Sequence, residues 1–178
     1  MKRSFLALAC CALLIPGLGN AQTEAASTTS ANPLPEPDRS FVQAATKSSS
    51  TEIDAGKLAQ SHSNDKDVKS FARHMMYDHT KMTVQLKAAA PHDVTAPKDN
   101  SDTELLDSLR GLKGKEFDRA YISKLGVKGH EEAVAAFKKE IESGQNADLK
   151  KFAQKELPVI EKHYRMAESL AKKKGVSE

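Results

Sequence analysis

Four side chains in this sequence can ligate a transition metal and are spaced so that they can meet: Glu52, His79, His130 and His163. Each falls on or beside the apolar stripe of a different expected helix. A purely aliphatic core has no use for three imidazoles and a carboxylate. Histidine nitrogen and carboxylate oxygen are donors for zinc, iron, manganese or copper. Depth along antiparallel helix pairs follows from the rise per residue. Glu52 lies about twelve residues before the first inter-helix turn and His79 about fifteen after it, at roughly 1.5 Å each. His130 lies about fifteen residues before the second turn and His163 about eighteen after it, so all four reach a similar level. The chemistry this pattern predicts is a transition-metal site inside a helical bundle.

Met75 and Met82 stand one turn either side of His79, and Met166 one turn from His163. Their thioethers would favour copper(I), although methionines on a stripe ordinarily fill core space. A competing reading is a buried polar network, with Glu52 accepting from a histidine and the others paired with tyrosines such as Tyr121 or Tyr164. Asp78 and Asp118 are candidates for orienting a ligand imidazole. Surface or capping roles suffice for His62, His74 and His92.

The elements that must position these residues are all helical in period. The first helix, about 39–62, follows Asp38 as N-cap and carries Phe41, Ala45, Ser48, Glu52, Ala55 and Ala59 on its stripe. The second, about 65–90, is capped by Asn64 or Asp65 and buries Val68, Ala72, Met75, His79, Met82 and Leu86. After a loop bracketed by Pro91 and Pro97, Ser101 and Glu104 form a capping box for a short helix ending near Arg110. The third long helix, about 115–143, contains Gly126 and Gly129, which either loosen it or allow a close helix crossing. The fourth, about 147–173, is capped by Asn146 and contains Pro158, a site for a kink or reset. Lys172 to Lys174 complement its C-terminal dipole. The expected fold is all-α, an antiparallel four-helix bundle over 38–174 with a short extra helix in the middle connection.

The N-terminus reads as a leader. Lys2 and Arg3 precede a short apolar run to Leu18, and Gly19-Asn20-Ala21 offers a cleavage site, so 1–21 is expected to be a signal peptide and the mature protein periplasmic. Residues 22–37 are small, polar and proline-punctuated, the composition of a disordered linker. The chain has two cysteines, Cys10 and Cys11, and both leave with the signal. The formal charge of +3 loses Lys2 and Arg3 as well. A nearly neutral mature chain makes no electrostatic case for nucleic acid or an anionic membrane. No nucleophile signature, phosphate loop or dinucleotide fingerprint is present.

The segments SFVQAATKSSSTEIDAGKLA, VKSFARHMMYDHTKM, EFDRAYISKLGVKGHEEAVAAFKKEI and LKKFAQKELPVIEKHYRMA resemble the family of domain of unknown function 4142 over about residues 39–171. The most specific matches are Asp78-His79, Phe117-Asp118 with Tyr121, His130, and Leu157-Pro158 ahead of His163. The family pattern carries a glutamate at the position of Glu52, and often an aspartate where Gly129 stands. The resemblance implies a secreted bacterial protein with a ferritin-like bundle, in which a metal centre is usual. A di-iron centre needs Glu-x-x-His on two helices, yet Met76 and Ile160 occupy those glutamate positions. The expectation is therefore one transition-metal ion (zinc, iron or copper) held by Glu52, His79, His130 and His163, serving envelope metal handling or stress protection. The alternatives are a metal-free structural or interaction module and a metal-dependent redox enzyme.

Overall fold

The computed structural model describes residues 34–91, 94 and 100–176. The expected signal peptide, most of the expected linker and His92 lie outside them. Four long helical stretches build the bundle: α1 (Glu36–His62), α2 (Lys66–Ala89), a third formed end to end by α4 (Gly114–Tyr121), a π-helical segment (Ile122–Gly129) and α5 (His130–Ser143), and α6 (Ala147–Lys174). A short α3 (Thr103–Arg110) occupies the middle connection. Three-residue turns at 63–65 and 144–146 make α1–α2 and α5–α6 antiparallel hairpins. No helix among the described residues is long and apolar enough to cross a membrane.

Two of the expected caps form. Asp65 accepts from the Asp67 and Val68 amides, and Asn146 from the Asp148 and Leu149 amides. Two others are corrected. Asp38 does not cap α1, which starts two residues earlier behind Pro35 with Pro37 in its first turn, where a missing N–H costs nothing. The Asp38 carboxylate is instead buried, accepting from the amides of Gln145 and Asn146 at 2.8–3.1 Å and so tying the start of α1 to the α5–α6 turn. The capping box at α3 also fails. Asp102 takes the N-cap position and accepts from Leu105, while the Ser101 hydroxyl donates to Asp54. A carboxylate is the stronger acceptor for an N-terminal amide.

Apolar packing is divided into two clusters. One gathers Ala59, Phe71, Met75, Leu109, Phe117, Ile122 and Ala167 near the α1–α2 turn. The other gathers Phe41, Met82, Leu86, Phe137, Phe152 and Ile160 near the α5–α6 turn. Met75 and Met82 thus fill core on opposite sides of His79. Small residues on α1 let α2 approach closely: a Cβ on Gly56 would collide with Met76. Gly126 serves the same end, since a Cβ there would meet the Ala167 methyl on α6 at 3.2 Å. Gly126 therefore marks a helix crossing, whereas a Cβ on Gly129 would approach the Lys124 carbonyl of its own helical stretch, and α6 runs through Pro158 as one helix without a reset.

Candidate metal centre

Between the two apolar clusters lies a polar layer. His79 on α2, His130 at the start of α5 and His163 on α6 are at most 1% exposed. Their ring centroids stand 5.5–5.7 Å apart in all three pairs. One ligand atom from each can be chosen so that all lie within 4.8 Å of one another. Small side-chain rotations would close that spacing around an ion with metal–nitrogen bonds of about 2.0–2.1 Å.

Each ring is held by one nitrogen. His130 Nδ1 donates to the carbonyls of Gly126 and Leu125 at 2.9 and 3.1 Å. Those carbonyls belong to the π-helical segment, a widened turn that recurs at functional sites. His163 Nε2 donates to Asp78 Oδ2 at 2.8 Å, the carboxylate–histidine pairing that fixes a ligand's tautomer. His79 Nδ1 faces Ser49 Oγ at 3.3 Å. What remains is His79 Nε2, His130 Nε2 and His163 Nδ1, all buried and without a hydrogen-bond partner among the described residues. Three bare imidazole nitrogens in one layer fit a metal ion, and they leave the expected polar network unsatisfied.

Electrostatics keep the layer neutral. Burial first, then the neighbouring imidazoles, holds His79 well below the usual histidine range. Burial takes His130 down to about 4. His163 is also lowered by burial, against the opposing pull of Asp78. Neutral imidazole is the form that binds a metal.

Glu52 stands apart from the three nitrogens. Its Oε1 lies 3.6 Å from His130 Nδ1, the nitrogen already engaged by the Leu125 and Gly126 carbonyls, and its Oε2 has no partner among the described residues. Burial raises its pKa to about 8, so the carboxyl is protonated at neutral pH. The Tyr121 hydroxyl, pushed up by burial and by Glu52, is likewise without a partner among the described residues. A cavity of about 220 Å³ reaches this side of the layer and is lined by Glu52, His79, Ser49, Leu125, Gly129 and Ile160.

Of the residues expected from sequence, the structure brings His79, His130 and His163 together and sets Glu52 against the outer edge of His130. Asp78 orients His163 as expected, whereas Asp118 makes no hydrogen bond to any of the three rings. Ser49 was missed because the stripe placed Ser48 inward, yet Ser49 is the buried member of the pair. The Leu125 and Gly126 carbonyls were missed because a π turn leaves no side-chain signal.

No match is found among curated proteins. Among solved structures, a Streptomyces coelicolor protein assigned to domain of unknown function 305 and described as secreted aligns with a TM-score of 0.65 at 16% identity, covering 80% of this chain and 94% of that one. At that identity the likeness is one of fold. The model of domain of unknown function 4142 matches residues 23–170, and the chain belongs to that family.

Proposed function

We propose that the protein binds one transition-metal ion through His79 Nε2, His130 Nε2 and His163 Nδ1, and serves metal handling or stress protection in the bacterial periplasm. The observation that carries this reading is the convergence of three buried nitrogens whose ring partners are each already engaged, leaving lone pairs with nothing else to do. An N₃ donor set of imidazoles suits zinc, copper, nickel or iron(II). Glu52, expected as a ligand, is assigned instead to the outer edge of His130, where a buried carboxyl supplies a counter-charge once ionised. The leader expected at 1–21 supports export. Metal analysis of tag-free protein purified from the periplasm tests the reading. One tightly held ion per chain that survives dialysis against a chelator, lost in His79→Ala and His130→Ala, is expected; substoichiometric metal unchanged in both variants overturns it.

The cavity beside His79 favours a second reading, a redox enzyme for a small substrate such as a peroxide. It predicts that metal-loaded protein turns over peroxide and that His79→Ala does not.

A further inference from the structure

This inference rests on the metal-binding reading of the buried layer and extends it to the surface. His163 has two faces. Its Nδ1 belongs to the buried layer, while its Nε2 meets Asp78 on the flank of α2. His74, one turn earlier on α2, brings its Nε2 to 3.2 Å from the same Asp78 oxygen. Its ring centroid lies 5.6 Å from that of His163. The His74 Nε2 makes no hydrogen bond in this position. His74, Asp78 and His163 offer ligand atoms that all lie within 4.8 Å of one another. His74 and Asp78 are half-buried, and His74 also lines a surface groove of about 530 Å³ together with Phe71 and Met166. Two of the three members of this second group are part-exposed, whereas all three of the first are buried, so the second group lies nearer to solvent.

We propose that His74, Asp78 and the Nε2 face of His163 form a capture site for a divalent first-row ion, which His163 then hands to the buried layer. The proton count of the ring sets the order of events. Without an ion, the ring proton of His163 is on Nε2 against Asp78, and Nδ1 is bare. Binding an ion at Nε2 displaces that proton, and the neutral ring carries it on Nδ1, where the bare Nε2 of His79 or His130 accepts it. Transfer inward reverses the exchange: the proton returns to Nε2 and Asp78, and Nδ1 is freed for the ion. No net proton is released, and the two sites fill in turn, not together.

Cobalt(II) alone is a suitable probe, because its visible spectrum reports coordination. Wild-type protein is expected to take up one ion. His74→Ala should reach the same endpoint and spectrum but load about tenfold more slowly, having lost one of three capture ligands. His79→Leu, which disables the buried layer, should still bind one ion more weakly, with the spectrum of a more hydrated centre. Adding His74→Ala to it should abolish that binding. Equal loading rates for wild type and His74→Ala, or a residual site in His79→Leu that ignores His74, overturns the proposal. If His79→Leu fails to fold by circular dichroism, the loading rates decide alone, since His74 is half-buried and tolerates truncation. Wild-type protein that lacks the buried-layer spectrum, yet binds cobalt in a His74-dependent way, would sink the buried-site reading and leave the outer site standing.

Discussion

The Asp38 carboxylate and the histidine layer are both buried and polar, and they differ in how they are satisfied. At one end, Asp38 accepts three hydrogen bonds from two backbone amides of the α5–α6 turn. Beside it, Glu140 is 1% exposed, its two carboxyl oxygens are buried without a hydrogen-bond partner among the described residues, and burial first and then Asp38 hold it up to about 7. Every feature of Asp38 is explained by closing a turn. In the middle, the three histidines each have one nitrogen tied to a fixed partner and one nitrogen bare. Folding alone accounts for the tied nitrogens and for none of the bare ones. An unpaired buried polar atom costs about 1–3 kcal/mol, so three in one layer is an arrangement that a bound ion would repay. What marks the histidines as a ligand set is convergence: the unpaired Glu140 oxygens belong to one side chain, whereas the bare nitrogens come from three helices.

The sharpest way to break that contrast is to add the ion. A metal at about a hundredfold above its Kd stabilises the folded state by about 2.7 kcal/mol, or roughly 10 °C in melting temperature for a domain of this size. His130→Ala should abolish most of the gain, measured by calorimetry with and without metal; a fully retained gain would remove the histidine layer from consideration. Asp38→Ala is the counterpart at the other end. It strands two amides at the α5–α6 turn and should cost about 2 kcal/mol while leaving metal stoichiometry unchanged. Metal lost along with stability would mean that the two groupings are not independent.

A smaller effect tests how the layer is oriented. Asp78→Asn keeps the shape of the side chain but weakens its hold on the His163 Nε2–H. Loss of such an outer partner ordinarily lowers metal affinity by about 10–100-fold. Titration against a competing chelator measures it, and an unchanged Kd would leave Asp78 with no part in setting the His163 tautomer.

Much of this was legible in the sequence because helical periodicity fixes both faces and depth. His79, His130 and His163 lie on stripes whose apolar members flank them in space, so convergence followed from rise per residue alone. Glu52 was harder. It is on the correct stripe and buried, but a side chain's reach within its layer depends on helix rotation, which spacing does not encode. The π-helical turn was also hidden: Gly126 and Gly129 marked an irregularity, while the wide turn that brings the Leu125 and Gly126 carbonyls to His130 arises from tertiary packing. Asp38 shows the same limit at a cap. It is a good N-cap by type, yet Pro37 starts α1 earlier and an amide pair from the α5–α6 turn claims the carboxylate.

The smallest expected effect concerns the acid pair and its sign. Folded Glu140 keeps its proton up to about pH 7, against a usual glutamate value of 4.5. Between those limits the folded chain binds more protons than the unfolded one, so stability falls as pH rises. The penalty is absent near pH 4.5 and fully present above about pH 7. Glu140→Gln keeps the volume, removes the titration and can donate to Asp38, which an ionised glutamate cannot. The histidine layer and Glu52 titrate in both proteins, so the readout is the difference between variant and wild type: it should be near zero at pH 5 and grow to a few degrees in favour of the variant by pH 8, on the order of 1 kcal/mol. A difference between variant and wild type that does not grow with pH over this range would show that Asp38 and Glu140 are not in opposition. The turn at 144–146 would then owe its stability to the backbone bonds of Asp38 alone.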